Sequence, residues 1–280
     1  MSPIALPIGV NLTSIGVTAG WWLDSARRLE KAGFSAVWSW DHFISRGRRT
    51  DPVLECWTTL AATAAVTKRI RLGSLVTNVM NRHASVLARM AATVADLSDG
   101  RLDVGIGIGG HPAEHEALGI PFPRVPERIA RLEETVEVLR ALWSGGPVDF
   151  SGPTVRLTEA HAFPIALGPP RIIVGGQTPG GARLAARTGD GWNVPAEHFA
   201  ALLPVYLEAL GTAERQRSEM TILVSLQSPG GWPAEEGALE DLAAEAERWA
   251  QSGADELVLD WVRPRELSAV LDAADRAALS

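Results

Sequence analysis

Two titratable side chains stand together at Asp41 and His42, where the apolar, aromatic run SAVWSWDHFI (35–44) breaks off. A histidine, with an unperturbed pKa of about 6.5, can give or take a proton at neutral pH, and a neighbouring carboxylate can orient it or contact a ligand. On its own the pair has an equally good structural reading, with Asp41 capping the following turn and His42 bonded to a backbone carbonyl.

Three further stretches carry the residue types of a binding site. In GIGIGGHPAEHEALG (105–119), Gly105, Gly107 and Gly110 fit the dinucleotide pattern G-x-G-x-x-G, a weak signal by itself. His111, Glu114 and His115 fit the H-x-x-E-H spacing of an inverted zinc-hydrolase signature. A helix starting at Pro112 would put both histidines on one face, but a zinc site needs a third ligand and supporting hydrogen bonds, and no metal is expected. The glycines read better as room for a flat ring lying close to the backbone, beside Ile108, Gly109, Gly110 and His111. In IIVGGQTPGGARLAAR (172–187), Gly175, Gly176 and Gln177 lead into a helix whose N-terminal N–H groups and dipole suit a phosphate; tight-turn chemistry is the competing reading. In GSLVTNVMNRHAS (73–85) a strand runs into Thr77, Asn78, Asn81, Arg82 and His83. Arg46, Arg48 and Arg49 form a basic loop after His42 that could attract an anionic group or simply be solvated.

The elements that must position these residues follow from periodicity. Short β-branched runs alternate with longer segments of helical period along the whole chain, which predicts a parallel sheet. The candidate strands are 8–12, 35–40, 70–77, 101–108, 170–175, 191–195, 220–226 and 255–262; the candidate helices are 20–32, 52–67, 85–98, 124–143, 179–188, 198–210, 235–252 and 264–278. Eight βα units in 280 residues fit a TIM (β/α)8 barrel of the α/β class, with a doubly wound sheet as the alternative. One domain over 1–280 is expected, interrupted by a Gly- and Pro-rich insertion near 145–168 that holds the hairpin VDFSGPTVRL. Active sites of barrels lie at the C-terminal ends of the strands. Asp41, His42 and the three other stretches all fall at such ends, which makes the pair a candidate catalytic group rather than a cap.

Composition bounds the setting. With 33 acidic against 26 basic residues, a net charge of −7 argues against a nucleic-acid surface. A single cysteine, Cys56, excludes an internal disulfide and suits a reducing, cytoplasmic compartment. The stretch from Ser2 to Leu23 is uncharged but lacks a basic flank and is broken by Pro3, Pro7 and glycines, so neither a secretion signal nor a membrane span is expected.

Several of these motifs together resemble the luciferase-like superfamily of flavin- and deazaflavin-dependent oxidoreductases. The resemblance rests on WSWDHF, GSLVTNVMNRHASVLARMAATVADLSDGRLDVGIGIGG, PFPRVPERIARLEETVEVLRALWSG and IIVGGQTPGGARLAARTGDGWN. It implies a luciferase-like barrel that uses coenzyme F420, a deazaflavin with an anionic phosphate tail, to move a hydride to or from a small organic substrate. His42 would be the proton donor or acceptor near the reactive ring carbon, and Asp41 would contact or orient the cofactor. A non-prolyl cis peptide under the ring would match Leu75–Val76. The cofactor would then lie among Asp41, His42, Leu75, Val76, Asn78, Ile108, Gly109, Gly110, His111, Gly175, Gly176 and Gln177. The resemblance also implies a homodimer, for which the polar-poor helices ECWTTLAATAAV and SVLARMAATVADL are candidates, and a separate enzyme that reduces the cofactor. Alternatives are an FMN-dependent monooxygenase with a dry pocket, a zinc hydrolase built on His111 and His115, and a barrel that binds a deazaflavin without turnover. One branch is disfavoured: sugar-phosphate dehydrogenases of the family carry a catalytic glutamate where this chain has Gly110, so glucose 6-phosphate is not an expected substrate.

Overall fold

The computed structural model describes residues 6–161, 168–227, 239 and 241–279. Its strands are β1 Ile8–Leu12, β2 Ala36–Ser39, β3 Arg71–Asn78, β4 Leu102–Gly107, β5 Val148–Ser151, β6 Arg156–Ala160, β7 Arg171–Gly175, β8 Gly191–Pro195, β9 Thr221–Leu226 and β10 Glu256–Val262. All except β5 and β6 close into one parallel barrel in the order β1-β2-β3-β4-β7-β8-β9-β10, which excludes the doubly wound sheet. The helices are α1 Ala19–Lys31, α2 Cys56–Val66, α3 Ala84–Leu97, α4 Pro112–Leu118, α5 Val125–Trp143, α6 Pro179–Thr188, α7 Ala196–Thr212, α8 Leu242–Gln251 and α9 Leu267–Ala277. β5 and β6 pair antiparallel as the expected hairpin of the insertion, of which 162–167 lie outside the described residues. Among the described residues no helix is long and apolar enough to cross a membrane.

Helix ends follow local chemistry, and so do the two late starts. The expected helix over 52–67 begins only at Cys56. Upstream, the Leu54 N–H donates to the Ser14 carbonyl and Val53 bridges Ile15, so the chain stays extended until Glu55 caps the helix by accepting from the N–H groups of Trp57 and Thr58. The helix expected from 235 starts at Leu242, where Asp241 accepts from the Ala244 N–H; 235–238 and 240 lie outside the described residues. Gly33, Gly100 and Gly253 close helices at positive φ, as KAGF, SDGR and QSGAD predict. Gly189 of RTGDG is extended instead, and is glycine because a Cβ there would lie 2.7 Å from the Gly191 carbonyl oxygen.

The barrel interior explains the run SAVWSW. Ala36, Trp38, Leu75, Ile173, Leu223 and Val258 fill its middle, while the alternate side chain, Val37, packs outward against the helices. Trp38 is fully buried, and the flanking strands give it space by omission: a Cβ on Gly9 would lie 2.7 Å from its indole nitrogen, and one on Gly73 2.5 Å from its ring. The strand therefore directs Trp38 into the core and delivers Trp40, Asp41 and His42 to the C-terminal mouth.

Beneath this layer the N-terminal ends of the strands carry a buried charge cluster. Asp103 is bidentate to Arg171, at 2.9 and 2.8 Å, and is also bound by Arg71. Glu256 lies 3.9 Å from Arg171. Burial, then the charge of Asp103, push the Glu256 carboxyl up to about 7 against an ordinary 4.5, although Arg171 and Arg71 pull the other way. A carboxyl raised in the folded state holds a proton that the unfolded chain releases. Its contribution is thus complete below pH 4.5 and lost as the pH climbs to about 7. Glu256→Gln keeps a neutral side chain at every pH. Relative to wild type it should gain stability between pH 5 and 8, by roughly 3 kcal/mol as an upper bound. Thermal melts of both proteins at the two pH values check this; a difference that does not change with pH contradicts it.

Candidate active site at the barrel mouth

His42 and Asp41 leave the end of β2 in opposite directions. The Asp41 carboxylate is fully buried and bound twice by Arg82, Oδ2 to Nη1 at 2.6 Å and Oδ1 to Nη2 at 2.8 Å. It also accepts from the Asn78 backbone N–H at 3.1 Å. Burial alone would lower the Arg82 guanidinium, but the hydrogen bonds and charge of Asp41, with Glu55 beyond, hold it well above its ordinary value. Asp41 thereby ties the β2 loop to the end of β3. His42 faces the mouth: its ring is 23% exposed, with Nδ1 3.1 Å from Glu114 Oε2 and Nε2 3.3 Å from Arg46 Nη2. Trp40 stands edge-on to it at 5.9 Å and against Trp261 at 5.3 Å, giving the mouth an aromatic wall. Trp22 and Trp38 are core; Trp21 packs half-buried on the core.

At the end of β3 the Leu75–Val76 peptide is cis. Val76 lies inside the barrel, and three glycines accommodate it. A Cβ on Gly107 would come within 2.7 Å of Val76, one on Gly175 within 3.1 Å, and one on Gly105 would strike the Ser74 carbonyl. This corrects the reading of the glycine run as space for a ring: Gly105 and Gly107 make room for the protein itself. Gly109 adopts positive φ beside the Asn78 amide. Gly110 alone of the run faces open space, with nothing within 4 Å of its Cβ position, so it remains the one at which a flat ligand can approach the backbone.

The zinc reading fails on ligand supply. His115 is buried in α4, its Nε2 accepting from Asn78 Nδ2 at 2.7 Å, and burial holds its imidazole below the ordinary value. Glu114 is committed to His42, and His111 is the residue before α4, its Nδ1 3.9 Å from Glu114. Among the described residues no group of three or more His, Cys, Asp or Glu side chains is placed to hold a metal ion.

The expected anion loop after β7 is narrower than its sequence suggests. The Gly176 N–H donates to the Asn193 carbonyl at 3.0 Å, and its own carbonyl accepts from Trp192 Nε1, so Gly176 offers no donor. Its glycine character serves packing, because a Cβ would lie 2.6 Å from Gly181. In the first turn of α6, Pro179 lacks an N–H, Gly181 donates to Thr178 Oγ1 and Ala182 to the Thr178 carbonyl. Gly180 and the preceding Gln177 are left to meet an anion. Of the basic loop, Arg46 reaches His42 whereas Arg48 pairs with Asp51.

Residues 10–258 match the family model described as luciferase-like monooxygenase. The chain belongs to that family. It is 31% identical over 231 residues to an F420-dependent glucose-6-phosphate dehydrogenase of Kineococcus radiotolerans, covering 79% of this chain and 67% of that protein. It is 32% identical over 216 residues to an F420-dependent hydroxymycolic acid dehydrogenase of Mycobacterium tuberculosis, covering 76% and 60%. The chain spans between about half and two thirds of the length of the curated relatives it matches. A solved F420-dependent secondary alcohol dehydrogenase in complex with an F420-acetone adduct superposes with a TM-score of 0.84 at 21% identity, over 99% of this chain and 98% of that one. The F420-dependent tetrahydromethanopterin reductase of Methanopyrus kandleri gives 0.79 at 18% identity, over 99% of both chains.

Within this luciferase-like barrel two functional contacts are invisible in sequence. Arg128, from the run PERIARLEE, donates to the carbonyls of Ile108 (3.0 Å) and Gly109 (2.6 Å) and so fixes the loop after β4. Glu114 stands four residues beyond Gly110, and the turn into α4 brings it to His42, although the spacing from the glycines gave no reason to pair them. A histidine followed at long range by a glutamate on a helix start is the signal, legible only once the loop path is known.

Proposed function

We propose that the chain is an F420-dependent oxidoreductase acting on a small hydroxyl- or carbonyl-bearing substrate, with His42 as the proton-transfer group. The observation that carries this reading is a partly exposed imidazole at the barrel mouth, its ring 6.2 Å from that of His111, which follows the open backbone at Gly110. Those features fit a flat ring, and the names of the curated relatives support F420 over FMN. The coenzyme, when bound, supplies the hydride acceptor or donor. His42, Leu75, Val76, Asn78, Ile108, Gly109, Gly110 and His111 would hold its ring, and Gln177 with Gly180 would receive the phosphate. Asp41 acts through Arg82 and Asn78, orienting the loop that carries His42. Nε2 of His42 takes the hydroxyl proton in oxidation and returns it in reduction.

Two partners complete the reading. A second copy packs across α2 and α3, beside a cavity of about 560 Å³ lined by Trp57, Ala61, Val86, Met90 and Leu157; sedimentation at the 29.9 kDa chain mass would refute this. A separate enzyme resets the coenzyme. Turnover is tested by incubating the protein with F420 and a panel of small secondary alcohols, and with reduced F420 and the matching ketones, following the coenzyme's absorbance. A change with at least one pair is expected; none across the panel, with coenzyme bound, would favour a binding protein without turnover.

A further inference from the structure

We propose that Glu114 is a positioning residue that decides which nitrogen of His42 exchanges the proton: Nδ1 keeps its hydrogen, and Nε2 presents the lone pair. This deepens the function proposed above and rests on His42 being the proton-transfer group. Two contacts fit the same tautomer, the buried Glu114 carboxylate holding it and the exposed Arg46 guanidinium matching it. A guanidinium can only donate, so Arg46 Nη2 at 3.3 Å from Nε2 requires a lone pair on that nitrogen. A neutral ring must then carry its hydrogen on Nδ1, 3.1 Å from Glu114 Oε2, a carboxylate that can only accept.

Glu114 is built to hold this position. It is 2% exposed, in the first turn of α4, and it accepts from the backbone N–H groups of Phe43 and Ile44, the two residues after His42. One carboxylate thus grips both the ring and the loop that bears it. Burial by itself would raise its pKa, but the hydrogen bond from His42, with the Phe43 and Ile44 N–H groups, outweighs burial and holds it below the ordinary carboxylate value. Its other titratable neighbours are His111, with Nδ1 at 3.9 Å, and the adjacent His115, which feels its charge.

The consequence is a direction for the proton. A substrate hydroxyl oxygen in the place of Arg46 at Nε2 would pass its proton to that lone pair as the carbonyl forms, and the bound coenzyme would supply the acceptor for the hydride lost from carbon. The imidazolium so produced faces a buried negative charge. In the opposite sense Nε2–H returns the proton to the oxygen. Arg46, exposed on its loop, can swing aside to admit that oxygen.

The test reads the ring without any coenzyme. Long-range proton–nitrogen spectra of ¹⁵N-histidine-labelled protein resolve the two tautomers, and His42→Ala assigns the signal among the six histidines. Wild type should show the Nδ1–H form. Glu114→Gln should keep it, because the amide oxygen still accepts, yet lower kcat about 10-fold through the lost charge with F420 affinity unchanged. Glu114→Ala should let the ring shift toward Nε2–H and lower kcat about 10²-fold or more, the pattern of a base held in the wrong tautomer. An Nε2–H ring in wild type, a ring unchanged in Glu114→Ala, or a kcat loss that only tracks the folded fraction in thermal melts would overturn the proposal. Should Glu114→Ala fail to fold, the wild-type and Glu114→Gln spectra still decide it. Failure of F420 to bind would strike the proposed function and leave the tautomer result standing.

Discussion

His42→Ala is expected to lower kcat by about 10² to 10⁴-fold, the range for a general acid–base group, while the F420 dissociation constant changes by no more than about 10-fold. The separation follows from geometry. His42 is one edge contact at the mouth of a barrel whose other contacts would remain, and its ring is 23% exposed, so little packing is lost. Glu114 keeps the Phe43 and Ile44 N–H groups after the substitution, so the carboxylate is not stranded in the core. Melting should therefore move by no more than about 1 kcal/mol in stability. Parallel measurement of turnover, binding and melting separates this from a packing role. A variant that binds F420 normally, melts early and turns over at the wild-type rate would end the assignment of His42.

Asp41→Ala should behave in the opposite way, with stability as the principal loss. Arg82 is 9% exposed and Asp41 not at all, so removing the carboxylate leaves a buried guanidinium with Glu55 as its remaining acid and takes the acceptor from the Asn78 N–H. Breaking a buried pair from one side costs about 3 to 5 kcal/mol, which for a chain of this size lowers Tm by roughly 10 °C. Asp41→Asn retains an acceptor for Asn78 and should fall between wild type and the alanine variant. Because Asn78 and His42 both depend on this tie, the folded remainder should also bind F420 more weakly. Calorimetry of the three proteins is sufficient; an alanine variant melting within about 2 °C of wild type would remove Asp41 from this role.

Much of the scaffold was legible because barrel strands and their helices obey two periods that sequence shows directly. Trp38 and Val37 alternate inward and outward as a strand demands, and Gly33, Gly100 and Gly253 close helices where L residues with side chains are strained. The site was less legible, since its function depends on which partner each side chain meets across the fold. Glycine served as the clearest case. Gly105, Gly107 and Gly110 look alike in the run GIGIGG, yet Gly105 and Gly107 clear space for Val76 and the Ser74 carbonyl while Gly110 opens to the mouth. Gly176 likewise reads as a phosphate donor until the Asn193 carbonyl is found to occupy its N–H. Asp41 and His42 adjoin in sequence, but one is buried against Arg82 and the other opens toward Glu114 and Arg46, contacts 41, 72 and 4 residues away. No local pattern encodes the two long-range pairings.

The central claim is that the mouth of this barrel is a deazaflavin site, and titrating the purified protein with F420 and FMN in parallel tests it most directly. A ring lying over Val76 and Gly110 with its phosphate at Gln177 and Gly180 should give saturable binding of F420, followed by fluorescence or calorimetry, at least about 10-fold tighter than FMN. Tight FMN binding with no detectable F420 binding would contradict it.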